Sequence, residues 1–395
     1  MPKISIIVPI YNMERYLDRC LSSLASQTIG DIEIVAVNDG SDDASLAILE
    51  RYARGDPRFV VVDQPNGGVS AARNAGLALC RGDYIGFVDP DDWADPGMYE
   101  ALYRTAVEQN ADIVMCGYRR EYGSFAKEKV YPYPELTVYR GEEVQERVAR
   151  RLLGPVGEEL ANPELLDAWG TVWSKLYRAS LLLENGLRFT DLKRIGSNED
   201  SLFNLEACLR ASSFAFLNRP YYHYWRANES SLTARHNPKL AEQFAALFEL
   251  MRQAAANGGR EREDFRAALT NRIGLSLFGL GLNIAGSGNP ASLRRKYAEL
   301  GKLLRIPLYR DAARQVELRR CPPAWRLWMA LAKRRLTLPL LVMLLLIERI
   351  RTKPTGGSRH AADTDFAGRH RDEPRRPGND ADELLPDDGQ RRRSV

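Results

Sequence analysis

The stretch Ile4-Ser5-Ile6-Ile7-Val8-Pro9-Ile10-Tyr11-Asn12 decides how the chain is read. Ile4–Ile10 is an apolar run of strand length, as expected for a strand buried on both faces. It breaks at Tyr11-Asn12 and gives way to a helical pattern in which Tyr16, Leu17, Cys20, Leu21 and Leu24 share one face. Asn12 is a candidate cap for a helix from Glu14 to about Ser26. The same alternation then repeats. Ile32–Val37 reads as a second buried strand, and Ser41 could cap a helix from about Asp43 to Ala53. Phe59–Val62 reads as a third strand, and Gly67-Gly68 opens a helix of small residues from Val69 to Leu79. Tyr84–Val88 and Ile113–Cys116 are the fourth and fifth strands. This rhythm predicts an α/β fold with a mainly parallel sheet covered by helices.

Composition agrees with a folded chain. Of 395 residues, 44% are hydrophobic and 9% aromatic, too many for a disordered protein. Five cysteines, at 20, 80, 116, 208 and 321, form no CxxC and no Cys/His cluster. A zinc ribbon, a redox dithiol and a disulfide scaffold are therefore excluded, and reduced thiols in a cytosolic compartment are expected. Met1-Pro2-Lys3 leads straight into the first strand with no small-residue cleavage site, so no secretory signal is expected.

In an open α/β sheet the ligand lies beyond the carboxyl ends of the strands. Three strands deliver Asn or Asp to that edge: the first ends in Tyr11-Asn12, the second in Asn38-Asp39-Gly40-Ser41, the fourth in Asp89-Pro90-Asp91-Asp92-Trp93. Each alone would pass as turn or capping chemistry, and their convergence points to a site. No GxGxxG follows the first strand and no GxxxxGK[ST] occurs. A nucleotide bound here would need its phosphates neutralised in another way. Carboxylates spaced one residue apart, as in Asp89 and Asp91, can hold a hard divalent cation that bridges to phosphate oxygens; a turn with capping acids is the ordinary alternative.

Four segments together resemble the GT-A domain of family 2 glycosyltransferases. They are Ile4–Asn12, Val37–Asp42, Asn66-Gly67-Gly68-Val69-Ser70-Ala71-Ala72-Arg73-Asn74-Ala75-Gly76 and Gly82–Trp93, in matching order and spacing. The resemblance implies a nucleotide-sugar site. In it Pro9, Tyr11 and Asn12 line the base and ribose, and Asp39 accepts a hydrogen bond from the base, typically uracil. Asn66, Gly67 and Arg73 flank the nucleotide and diphosphate. Asp89 and Asp91 form a DxD motif for Mn²⁺ or Mg²⁺, with Asp91 the direct ligand. It also implies a GT-A fold, followed here by a helical extension and a disordered tail.

Moving a sugar to a hydroxyl requires a base. Glu199-Asp200 lies in Gly196-Ser197-Asn198-Glu199-Asp200-Ser201-Leu202-Phe203, where acids also suit the first turn of a helix over about Asp200–Arg210. The segment resembles the family's Glu-Asp-x-x-Phe element, which makes Asp200 the catalytic base, with Glu199 beside it. The family often places Gly directly before Glu-Asp, whereas Ser197-Asn198 intervene here. Trp169–Tyr177 resembles the family's Trp-x-Lys segment, so Lys175, Trp173 and, in the loop of the fourth strand, Asp92 are candidates for orienting donor or acceptor; a solvated helix lysine is the alternative for Lys175. Tyr221–Arg226 followed by Ser230–Thr233 also resembles the family, and Arg226 could close over the diphosphate. His223, in the same run, reads as a packed histidine before a ligand.

Beyond about residue 238 the chain is rich in Ala, Leu, Arg and Glu and reads as helices. Residues 319–353 hold nine Lys/Arg and one acid, Glu348, and enclose the uncharged run Leu336–Ile347. Twelve helical residues span about 18 Å, short of the roughly 30 Å hydrocarbon core. With Trp325, Trp328 and the flanking cations, the segment reads either as an interfacial anchor on an anionic membrane surface or as a buried C-terminal helix. Nucleic acid fits poorly, since phosphate contact needs no aliphatic run. Residues 354–395, rich in Gly, Pro, Arg and Asp, read as a disordered tail.

The expected organisation is a GT-A domain over 1–235, with a nucleotide-sugar half at 1–117 and an acceptor half with the base at 118–235. A helical extension at 236–318 and the basic apolar segment at 319–353 follow. The expected activity is inverting, metal-dependent transfer from a nucleotide sugar, with a UDP-sugar favoured, to a saccharide or lipid-linked acceptor in cell-envelope synthesis. The expected location is cytoplasmic, at the inner face of a membrane. A non-catalytic nucleotide-sugar scaffold and a two-carboxylate glycoside hydrolase are the alternatives.

Overall fold

The apolar runs become the central strands because nothing else can cover them. β1 (Ile4–Ile10) and β2 (Ile32–Asp39) are buried along their whole length. β3 (Phe59–Gln64) and β4 (Tyr84–Phe87) flank them. These four run parallel in the order β3-β2-β1-β4, in register at Ile4↔Ile32, Ile4↔Tyr84 and Ile34↔Phe59. The computed structural model describes residues 1–163, 167–226, 236–260 and 262–351. The remaining strands complete a ten-stranded sheet: β5 (Trp93–Ala94), β6 (Ile113–Glu121), β7 (Ala126–Glu128), β8 (Leu136–Arg140), β9 (Lys175–Arg178) and β10 (Ser213–Trp225).

The fifth predicted strand is present as the start of β6, but it does not neighbour β4. β9 is inserted antiparallel between β4 and β6, and β10 then pairs parallel to β6. The region after residue 118, broken by prolines, therefore still supplies the strands that complete the sheet. Four predicted helices are found as α1 (Glu14–Ala25), α2 (Ser45–Gly55), α3 (Val69–Leu79) and, after α4 (Met98–Glu108), α5 (Glu199–Arg210).

Two expected caps are replaced. Asn12 and Ser41 do not cap α1 and α2, whose N-caps are Met13 and Ala44. Asn12 instead takes a left-handed conformation, with φ of 54°. Its backbone N–H donates to Ser41 Oγ at 3.0 Å and its Oδ1 accepts from the Asp42 N–H at 2.8 Å. The loops after β1 and β2 are thereby stitched together at the carboxyl edge, which no cap assignment within one loop could show.

Residues 240–351 are helical: α6 (Leu240–Asn257), α7 (Glu263–Ala285), α8 (Leu293–Leu303), α9 (Pro307–Gln315), α10 (Pro323–Lys333) and α11 (Thr337–Arg351). α7 is the hub, with buried residues on every side, as an apolar helix at a core should have. It docks on the sheet domain where Asn271 Nδ2 donates to Pro155 O at 2.8 Å and Arg272 Nη1 to Leu152 O at 3.1 Å. Gly154 is needed there, since a Cβ would lie 1.9 Å from Ala268 O.

Candidate active site

The strand order reverses at β1, with β2 on one side and β4 on the other. That switch point opens a crevice at the carboxyl edge. Pro9, at the end of β1, is buried, whereas Tyr11 and Asn12 are exposed beside it. From β2, Asp39 turns its buried carboxylate toward the loop ahead of α3: Oδ1 accepts from Gly67 N at 2.9 Å and Gln64 Nε2 at 2.7 Å, and Oδ2 from Gly68 N at 2.7 Å. Asn66 Nδ2 donates to Asp39 O at 2.9 Å. Gly68 has φ of 89° and ψ of 165°, a conformation open in practice only to glycine. The acid thus shapes the Asn66-Gly67-Gly68 turn, and the turn fixes the start of α3.

α3 carries Arg73 inward until its side chain is 3% exposed. Its Nη2 donates to Asp89 Oδ1 at 2.9 Å, and its Nη1 to Asp200 Oδ1 at 2.6 Å and to Glu199 Oε1 at 3.2 Å. The guanidinium lies 5.1 Å from the Phe189 ring centroid, and Phe189 stacks on Phe203 at 4.0 Å. Burial works against the charge, yet the three carboxylates outweigh it and hold the arginine above its ordinary range. One buried cation on α3 therefore joins the loop after β4 to the first turn of α5, with Arg73 and Asp200 127 residues apart in sequence.

Asp200 is 21% exposed at its side chain. Burial pushes its carboxyl up to about 7, Arg73 counters the rise, and the neighbouring Glu199 and Asp89 add to it. A general base poised near neutrality is what acyl- or glycosyl-acceptor chemistry needs. The inserted Ser197-Asn198 is accommodated by a left-handed Asn198, with φ of 66°, after Gly196 at φ of 79°.

The loop Asp89–Trp93 is fixed through its backbone from both sides. Arg19 of α1 donates from Nη2 to Asp91 O at 2.6 Å, its guanidinium 3.9 Å from the Trp93 ring and 4.5 Å from that of Trp225. From β10, Tyr222 Oη accepts from Asp89 N at 3.1 Å and donates to Asp92 Oδ2 at 2.8 Å. Asp92 Oδ1 accepts from Trp225 N at 2.7 Å. Asp92 is fully buried, and burial followed by Asp91 and Asp89 drives its carboxyl well up. It anchors the loop from within, bonded to Tyr222 and Trp225.

Lys175 and Trp173 are likewise buried. Lys175 is neither solvated nor helical: in β9 it is fully buried, and its ammonium donates to Trp169 O at 2.9 Å and to Thr171 O. Burial lowers it to about 8. It braces the turn ahead of β9, whose Gly170 O accepts from Asn204 Nδ2 at 2.8 Å, and Asn204 Nδ2 also reaches Asp200 O at 2.9 Å. Trp173 stacks on Tyr222 at 4.4 Å and supports the loop anchor from behind. Arg226 is exposed at the end of β10, where its backbone N–H donates to Glu121 O at 2.8 Å; no contact ties it to Arg73 or Asp200. His223 is packed as expected, with its ring nitrogens 2.7 Å from Glu121 Oε1 and 2.9 Å from Asp95 Oδ1, stacked on Trp93. Ser230–Thr233 and residues 354–395 lie outside the described residues.

Asp89 and Asp91 suit a hard divalent cation. Both are carboxylates on a loop whose backbone is pinned, and Mg²⁺ in such sites takes one or two carboxylates and completes its shell with substrate phosphates and water. Among the described residues no three His, Cys, Asp or Glu side chains converge to hold a metal ion. Sequence reasoning missed Arg19, Tyr222, Asn204 and Tyr177, the last donating to Asn204 Oδ1 at 2.8 Å. Tyr222 and Tyr177 sat in runs already singled out, and Arg19 and Asn204 carried no local signal.

A sheet of this order, with acid-bearing loops at the carboxyl edge and Glu199 and Asp200 brought in by α5, has the layout of the GT-A fold, and the relatives that share its sequence are glycosyltransferases. Residues 5–153 match the model of "Glycosyl transferase family 2". The chain is 33% identical over 311 residues to the putative glycosyltransferase EpsH of Bacillus subtilis, covering 79% of this chain and 86% of EpsH. It is 39% identical over 233 residues to EpsJ of the same organism, an uncharacterized glycosyltransferase, covering 59% of this chain and 63% of EpsJ. Among solved structures, S. aureus TarS 1-349 in complex with UDP-GlcNAc has a TM-score of 0.59 at 21% identity, covering 88% of this chain and 90% of that one. The chain belongs to glycosyl transferase family 2.

Proposed function

We propose that the protein is an inverting, metal-dependent glycosyltransferase. It moves a sugar from a nucleoside diphosphate sugar to a hydroxyl of a saccharide or lipid-linked acceptor, in cell-surface polysaccharide synthesis at the cytoplasmic face of a membrane. The observation that carries this reading is the Arg73 bridge, which holds the Asp200 carboxylate and the Asp89 loop on one buried cation. A base near neutrality thus stands beside the acids suited to a diphosphate. UDP is the favoured carrier, since the fold neighbour TarS binds UDP-GlcNAc.

In this reading residues 1–117 hold the donor. Pro9, Tyr11, Asn12, Asp39, Asn66 and Gly67 surround base and ribose, and Asp89 and Asp91 would hold Mn²⁺ or Mg²⁺, which when bound would supply Lewis-acid neutralisation of the charge on the departing diphosphate. Residues 118–235 bring the base and the acceptor. Asp200 takes the proton of the acceptor hydroxyl, whose oxygen forms a bond to the anomeric carbon from the face opposite the diphosphate. The bond from that carbon to the diphosphate oxygen breaks with its electron pair, and the configuration inverts. Arg73 orients Asp200 and Arg226 meets the diphosphate. The helical region after 236 and the basic apolar segment at 319–353 carry the chain to its membrane.

Asp200→Asn tests the reading. Turnover, followed as UDP released from UDP-sugars in the presence of saccharide acceptors, falls at least about a thousandfold, by comparison with the loss of a general base that also orients its partner. UDP binding with Mn²⁺ persists. Turnover that survives the substitution, or a product of retained anomeric configuration by NMR, contradicts it.

A further inference from the structure

α10 and α11 form a helical hairpin packed on α7. Leu340, Leu341, Leu344 and Ile347 of α11 are buried, and Gly281 of α7 admits Leu344 and Trp328 so closely that a Cβ would lie 3.0 Å and 3.2 Å from them. A second apolar face of the hairpin stays uncovered. Leu338, Val342, Leu346 and Ile350, four residues apart, form a ridge along the outer side of α11. Leu338 is 62% exposed, Leu346 57% and Ile350 59%, and Leu327 of α10 is 55% exposed. Isolated exposed leucines are unremarkable, whereas a continuous ridge marks an interaction surface.

Cations frame the ridge. Arg334 and Arg335 are exposed at the turn between the two helices, with Arg335 left-handed at φ of 56°, and Arg349 is exposed at the far end. The single acid of the segment, Glu348, turns aside to Ser287, whose N–H and Oγ both lie 3.2 Å from Glu348 Oε1. α11 is about 22 Å long, and no helix among the described residues is long and apolar enough to cross a membrane. An apolar ridge that cannot span, framed by arginines and cleared of acids, has the makeup of a helix lying in the headgroup region. A second copy of the chain fits less well, because face-to-face docking would bring the same cations together.

We propose that the outer face of α10 and α11 docks in the plane of an anionic lipid leaflet, with Leu338, Val342, Leu346 and Ile350 entering the acyl boundary and Arg334, Arg335 and Arg349 meeting lipid phosphates. This deepens the membrane location in the proposed function and rests on that part of it alone.

The test is flotation of the full-length protein with vesicles, either phosphatidylcholine alone or with about one-third phosphatidylglycerol. The wild type floats with the anionic vesicles and far less with the neutral ones. High salt weakens the binding, because the Debye length falls to about 3 Å at 1 M. Leu338→Glu with Leu346→Glu lowers the partition at least about tenfold, since two charges replace apolar groups at the interface. Arg334→Gln with Arg335→Gln lowers it about thirtyfold, from the usual contribution of each cation near an anionic surface. Both variants keep the wild-type thermal shift with UDP and Mn²⁺. Three results overturn the proposal: no flotation with either vesicle, partition unchanged in the leucine variant, or a lipid-free dimer of the wild type that the leucine variant dissociates. The UDP shift is read on the same samples, so failure of the donor site is distinguishable from failure of the docking face.

Discussion

A guanidinium buried among three carboxylates has few ways to be useful, and the geometry at Arg73 selects one. It touches Asp200 at 2.6 Å and Asp89 at 2.9 Å, so it fixes Asp200, the base we propose, relative to the acidic loop and restrains the upward push that burial gives it. The sign of the pH dependence follows. The base acts when deprotonated, and its carboxyl stands at about 7. The expected kcat/KM therefore falls tenfold per pH unit below about 7 and levels off above it. Arg73 is the group that lowers Asp200, so in Arg73→Gln the acidic limb moves to higher pH. The same substitution leaves buried carboxylates without their cation, and urea denaturation should show a loss of about 3–5 kcal/mol. A limb that stays in place in Arg73→Gln refutes the coupling. At this scale the motif residues were legible: Asp39, Arg73, Asp89, Asp91 and Asp200 all lie around the carboxyl edge. What was not legible is whether a polar side chain faces the crevice or the core. Lys175 and Asp92 have the residue types of a site, and only the partners the fold gives them, the nearby carbonyls of Trp169 and Thr171 for one and the distant Tyr222 and Trp225 for the other, show that they brace the backbone.

At the scale of elements, β10 does more than close the sheet. Its Tyr222 serves two acids at once, accepting from the Asp89 N–H and donating to Asp92. Tyr222→Phe leaves both groups short of a partner in a buried setting. It should cost about 1–3 kcal/mol of stability by denaturation and weaken metal-dependent UDP binding by calorimetry, with Asp200 and its pH limb unmoved. Loss of stability with UDP affinity intact would make Tyr222 structural only. The continuous apolar runs of β1 and β2 and the small-residue helix α3 could be read from the sequence nearly to the residue. β9 could not. It has four residues and gains its stability from antiparallel pairing with β4 and β6, far away in sequence, and such pairing leaves no local period. α11 illustrates the opposite limit: an apolar run without alternation is compatible with burial or exposure, and the structure divides it, one side on α7 and one side outward.

At the scale of the whole molecule, a crevice at a switch point, a loop of acids pinned by α1 and β10, and a base delivered by α5 make one ligand the organiser of the site. The ligand we propose for it is a nucleoside diphosphate with a divalent cation, and a ligand that binds only the folded state raises stability by about 2.7 kcal/mol at a hundredfold excess over its Kd. The most direct measurement is calorimetric titration of UDP into the wild type, Asp91→Ala and Asp200→Asn, each with Mn²⁺ and with EDTA. The account predicts binding to the wild type and Asp200→Asn in Mn²⁺ only, and none to Asp91→Ala. Binding that ignores EDTA, or that survives in Asp91→Ala and vanishes in Asp200→Asn, would contradict it.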